Sequence, residues 1–333
     1  MRLEQEMVEI PLAGEVNSLA WDGDDLVDFA RLWRIRPDGS TDGPLWSAGF
    51  PFDRAVCTRM GGTLWSAIYQ NRGTKAVLMK NGQCHRELNR SFDCAVDYDH
   101  AVAITEVQGR AVVIYCPDNS RGLALEDAET GERLGVNATE KMEYHSRLTL
   151  SPDRSYLLSA GWFWHPVSAL YLCSLPKGQE SFAEPNEEVD FCWSTGVDGA
   201  AFLGEDRVVV STADTAISGR TLENELAPRQ LGVWSIPEKR WTSVADLDEF
   251  TGTIMPWRDW VISFYGHPKA IELATGKVVH RWENTVSGKQ VGAIDLGDPP
   301  PPPMALDSEH GRFAVAGATG ITVVKLRAVE GLF

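Results

Sequence analysis

The chain has 333 residues, 43% of them hydrophobic, with 31 Lys and Arg against 47 Asp and Glu, a formal charge of −16. That apolar content excludes a disordered chain, and no stretch approaches the roughly 18 unbroken apolar residues of a membrane span. The acidic balance, with no run of three basic residues, argues against nucleic-acid binding, which draws its affinity from clustered Lys and Arg.

Met1 to Glu6 carries acidic residues and no apolar leader core, so a cytoplasmic protein without membrane association is expected. The six cysteines (Cys57, Cys84, Cys94, Cys116, Cys173 and Cys192) include no CxxC pair. They read as reduced, packed thiols rather than a disulfide framework or zinc ribbon, and neither a metal nor a cofactor is expected. Length alone suggests two domains. Twelve Trp and 30 Gly in a helix-poor pattern point instead to one repetitive all-β structure.

In chain order, Met7 to Leu12 alternates as a strand. Seven times thereafter a short apolar run, a tight turn and a second apolar run recur, and such repeats set the fold. The turns fall at Asp22-Gly23, Gly61-Gly62, Tyr98-Asp99, Pro152-Asp153, Glu205-Asp206, Arg258-Asp259 and His310-Gly311. The second runs are strongly β-forming, as in Leu64 to Tyr69, Tyr156 to Ala160, Val208 to Val210 and Trp260 to Phe264. A third run follows, examples being Ala76 to Met79, Ala169 to Leu172, Gly232 to Ile236 and Ile321 to Val324. Several end in turns whose residues supply the special φ that hairpins need: Pro37-Asp38-Gly39, Asn81-Gly82, Thr130-Gly131, Pro237-Glu238-Lys239 and Thr275-Gly276.

Four antiparallel strands repeated seven times make a seven-bladed β-propeller in a single domain spanning 1–333. The expected blades are 16–51, 52–91, 92–144, 145–196, 197–250, 251–303 and 304–326. The last lacks a fourth strand, and the N-terminal strand 7–12 supplies it and closes the ring. Ala111 to Tyr115 reads as a surplus strand in blade three, which leaves six or eight blades open.

The turn Ser151-Pro152-Asp153 and the third-strand Trp33 and Trp234 resemble those of the WD-repeat family of β-propellers. The match is a degenerate one. Arg34 and Ser235 stand where that family has Asp, no Gly-His pair opens the blades, and Trp21-Asp22 lies in the wrong strand. A more general propeller, such as the quinoprotein-like group, stays open. The resemblance implies a rigid interaction scaffold.

On repeat scaffolds, binding residues gather on loop faces. The rim bearing the blade-to-blade links and the second-to-third-strand turns collects an aromatic and cationic set. Blade four contributes Trp162, Trp164 and His165 in its predicted loop and Tyr144, His145 and Arg147 on its approach. Trp193 precedes blade five, and Tyr265 and His267 belong to blade six. Aromatic and Arg side chains dominate interfaces. These nine are therefore the expected partner-binding residues, for a protein or peptide with a basic surface facing an acidic ring. The chain is expected as a monomer or as one component of a hetero-complex.

The alternative is a hydrolase- or lyase-type enzyme with His145, His165 and His267 converging on the top face. No GxSxG, Walker or GxGxxG motif accompanies them, and a non-catalytic role is favoured. Three insertions stand apart: 213–230, 176–188 and 283–303. The last ends in five consecutive prolines, Pro299 to Pro303, which read as a rigid spacer or as a polyproline II segment able to dock on a partner's aromatic groove.

Overall fold

The computed structural model describes residues 1–12, 14–43, 49–117, 122–137, 144–164, 167–175, 195–214, 225–297 and 299–329. They form an all-β, seven-bladed propeller. Blade one is Ala20–Asp22, Asp25–Asp28, Trp33–Ile35 and Thr41–Asp42. Blade two is Arg54–Met60, Thr63–Tyr69, Ala76–Lys80 and Gln83–Glu87. Blade three is Val102–Val107, Arg110–Tyr115, Leu123–Asp127 and Arg133–Asn137. Blade four has three strands among the described residues, Leu148–Leu150, Tyr156–Trp164 and Val167–Ser174. Blade five is Val197–Phe202, Arg207–Thr212, Gln230–Ser235 and Arg240–Asp246. Blade six is Ile254–Trp257, Trp260–Ser263, Lys269–Glu272 and Val278–Arg281. Blade seven combines Met304–Asp307, Arg312–Ala316 and Gly320–Val329 with the N-terminal strand Arg2–Pro11.

From blade one to blade six, and between blades seven and one, the first strands of neighbouring blades contact one another around the central axis, and each blade stacks on the next. The core is accordingly divided into seven apolar clusters, one at each seam between blades. Strand alternation distributes the residues. In blade three Val112 and Ile114 face blade four, while Ala111, Val113 and Tyr115 face blade two. A strand buried on both faces reads as a continuous apolar run rather than an alternating one.

That double burial explains one correction to the expected layout. Ala111–Tyr115 is not surplus; it is most of blade three's second strand. The first strand is Val102–Val107, not Cys94 to Val96, and the hairpin turn sits at Gln108-Gly109, with φ of 54° and 74°. The run from Cys94 to Val96 is a turn because Cys94 adopts φ 51°. A second correction concerns Trp162 to Trp164, expected in a loop. The second strand of blade four runs on to Trp164, with Trp162 opposite Ser168 and Trp164 opposite Val167.

Ring closure rests on a ten-residue antiparallel pairing, Arg2 opposite Val329 through Pro11 opposite Gly320. Its inward anchor is Ile10, 5% exposed in the seam between blades seven and one, while Val8 on the same strand is 36% exposed. Ile10→Ala is therefore expected to destabilise the protein by about 3 kcal/mol. Val8→Ala should cost under about 0.5 kcal/mol. Urea unfolding of the two variants checks the register, and equal losses would contradict it.

Candidate functional site

The link from blade two to blade three, residues 91–100, is folded around a buried cation. Arg90 is 2% exposed and donates from Nη2 to the carbonyl oxygens of Ala95 (2.6 Å), Tyr98 (2.8 Å) and Asn71 (3.3 Å), and from Nε to that of Gly73 (2.8 Å). Its guanidinium lies 4.3 Å from the centre of the Tyr98 ring. A tight link turns several carbonyls inward, and the Nε and Nη2 donors of Arg90 satisfy them from one position. Burial pulls the Arg90 pKa below its ordinary value.

With its backbone held from inside, the loop presents its side chains outward. Phe92 is 84% exposed and Val96 71%, and the exposed Asp93 and Asp97 accompany them. Behind them stands an aromatic stack. Tyr144 lies on Trp162 at 4.6 Å with planes 18° apart, and Tyr98 meets Tyr144 at 5.0 Å. Tyr144 and Trp162 also exchange backbone hydrogen bonds of 2.9 and 2.8 Å, extending blade four towards the rim. The Tyr144 hydroxyl donates to Asp93 at 3.2 Å, which ties the stack to the loop. Burial, with Cys94 and Asp93 alongside, pushes the phenol pKa upward, so it stays a donor.

The remaining expected residues separate. His145 is fully buried, its Nδ1 3.1 Å from Ser159 Oγ and its ring edge-on to Tyr171, so it packs blade four and does not face the rim. Arg147, held at φ 44°, turns towards the axis, where Nε donates to the Ala160 carbonyl (3.0 Å) and Nη1 to that of Asp198 (2.8 Å). Tyr265 and His267 form another group on blade six. Tyr265 packs against Phe250 at 5.4 Å, and burial followed by the charges of Lys269 and Arg281 lowers the His267 pKa. The side chain of Trp164, together with His165 and Trp193, lies outside the described residues. Tyr144 and Trp162 thus meet Tyr98 and, through Asp93, join the loop that carries Phe92 and Val96. Sequence reasoning missed Phe92, Val96 and Tyr98. The available signal was the cluster Phe92-Asp93 through Tyr98-Asp99, in which aromatic residues and acids mix, unlike in a buried strand.

The insertion between blades six and seven closes the same end of the ring. A hairpin of Gln290–Val291 and Asp295–Leu296 crosses the axis. Gln290 Nε2 donates to Asp99 (2.6 Å), Arg72 Nη2 donates to the Ala293 carbonyl (3.0 Å), and the Gly292 amide donates to that of Asp198 (3.2 Å). Gly292, at φ 63°, permits this approach, since a Cβ there would lie 2.7 Å from Ser168 Oγ. Arg72 also pairs with Asp99 at 3.0 Å, so blades two and three hold the hairpin jointly.

No protein-family model and no curated protein matches the chain. By contrast, 816 chains of solved structure resemble it. One is the crystal structure of BamB from Moraxella catarrhalis, 13% identical, with all of both chains covered and a TM-score of 0.52. At that identity the likeness is one of fold, and the site must be read from its own residues.

Burial holds the pKa of His145 at about 3, and burial followed by the charge of Arg90 holds that of His100 at about 3, against 6.5 ordinarily. Below pH 6.5 the unfolded chain takes up protons that the folded chain refuses. Each histidine should therefore remove up to about 1.4 kcal/mol of stability per pH unit as pH falls from about 6.5 towards 3. His145→Gln is expected to flatten this acid limb by one histidine's share in denaturant titrations across that range. An unchanged slope would mean that His145 is protonated in the fold.

Proposed function

We propose that the protein is a non-catalytic scaffold that docks a protein partner on the rim at blades three and four, where Phe92 and Val96 stand out of the ring. The observation that carries this is the contrast within one loop. Its backbone is tied to a buried Arg90, yet two large apolar side chains are offered to solvent at 84% and 71% exposure. Ordering a loop costs conformational entropy, and apolar groups held in water gain nothing from it unless something covers them.

The aromatic floor of Tyr98, Tyr144 and Trp162 supplies the rigid, amphipathic surface on which interface hot spots are built. Asp93 and Asp97 flank the apolar pair, and the chain carries −16 overall, which favours a partner segment with Lys or Arg around an apolar residue. The resemblance of the turns to WD repeats supports the same scaffold role. A histidine-centred enzyme gains no support from the placement of His145, which is sealed inside blade four.

The test is affinity capture from the native cell with mass spectrometry, run in parallel on wild type, a Phe92→Ser/Val96→Ser variant and Asp97→Lys. A partner held by wild type should bind the double variant about thirtyfold more weakly or worse, with the melting temperature unchanged. Asp97→Lys should slow association and reduce its salt dependence. A partner retained at full strength by all three proteins would place the interface elsewhere.

A further inference from the structure

Beneath the hairpin the channel widens into a cavity of about 270 Å³, just under the roughly 300 Å³ lower end of ligand pockets. Its wall is part polar and part apolar: Arg54, Arg147 and Thr149 contribute polar groups, and Val56, Val102 and Ile254 apolar ones. Met304, opening blade seven, adds to the apolar part.

Two features of the polar part remain unexplained by folding. Arg54 and Arg147 bond only backbone carbonyl oxygens among the described residues: those of Asp53 (2.7 Å) and Pro301 (3.3 Å) for Arg54, and those of Ala160 and Asp198 for Arg147. In addition, Arg147 Nη2 and Thr149 Oγ1 are buried on this wall with no hydrogen-bond partner among the described residues. Orphaned buried donors cost about 1–3 kcal/mol each and call for an explanation. Asp99 and Asp198 lend Arg147 their charge, and the carboxylate of Asp99 is itself engaged by Arg72, Asn71 (2.9 Å) and Gln290.

We infer that this cavity binds a small organic carboxylate, its acid group on Arg147, Arg54 and Thr149 and its apolar body on Val56, Val102, Ile254 and Met304. Guanidinium groups favour a planar carboxylate. A bare phosphate would satisfy the donors and leave the apolar half of the cavity unmatched. The chain itself supplies the cover and part of the wall of the site. The hairpin covers it, and Pro301 forms part of the wall while bordering a second cleft of about 370 Å³ on its other side, with Arg54 and Asn71 shared between the two. The proline run is therefore a partition inside the ring. It is held by Gly288, whose φ of 78° and missing Cβ admit Pro301, since a Cβ would lie 2.4 Å from the proline Cα. This inference concerns the channel and is independent of the rim surface proposed above.

Calorimetric titration with 4-methylpentanoate, 4-methylpentanamide and inorganic phosphate tests it. The acid should bind and raise the melting temperature, with the amide and phosphate at least about tenfold weaker. Arg54→Gln and Thr149→Val should each weaken the acid about five- to tenfold while the circular dichroism spectrum stays native. Arg147→Met should abolish binding where it folds, and the other two variants decide the matter where it does not. Absence of acid binding at millimolar concentration would overturn the inference. So would equal binding of the amide or of phosphate, or undiminished binding by the two folded variants.

Discussion

Every blade of this ring is buried on both of its faces, and the rest of the molecule follows from that constraint. A strand such as Arg110–Tyr115 sends alternate side chains into opposite seams, so neither neighbour can be removed without exposing half its residues. Burial at roughly 25 cal/mol per Å² is then collected only when all seven seams exist together. The ring behaves as one cooperative body although its apolar seams join only neighbouring blades. It also leaves free to vary those loops that add no side chain to a seam, unlike the ones that carry Phe52, Leu88 and Leu226 into it.

The turns were the most legible part of the sequence, because a tight hairpin limits which residues can stand in it. Asn81-Gly82, for example, takes φ of 50° and 78°, values that Asn and Gly tolerate and most residues do not. Legibility failed where a local pattern was shared by two structures. Cys94 to Val96 looks like a strand by composition, but buried Arg90 gathers the surrounding carbonyls and bends the segment into a turn. Residues 111–115 looked superfluous because burial on two faces erases the alternation by which a strand is normally known.

The candidate site was half visible for the same reason. Tyr144 and Trp162 could be picked out as aromatic residues close to the rim. Their stacking on Tyr98, and the exposure of Phe92 and Val96 beside them, depend on contacts between blades two, three and four that no local window contains. His145 and Arg147 illustrate the converse. Adjacent to the stack in sequence, they are carried inward by the first strand of blade four, one into its packing and one to the axis. One short segment thus serves the rim, the core and the channel in turn.

The pairing that completes blade seven joins Arg2–Pro11 to Gly320–Val329, segments separated by almost the whole chain. During synthesis the first of these emerges early and has no partner until nearly all the other blades have been made. It must wait as a bare edge without recruiting another chain. Its composition suits that interval: Glu4, Glu6 and Glu9 lie along it, and like charges on an unpaired edge repel a second copy. The ring is thus assembled like a bracelet whose clasp is made first and fastened last.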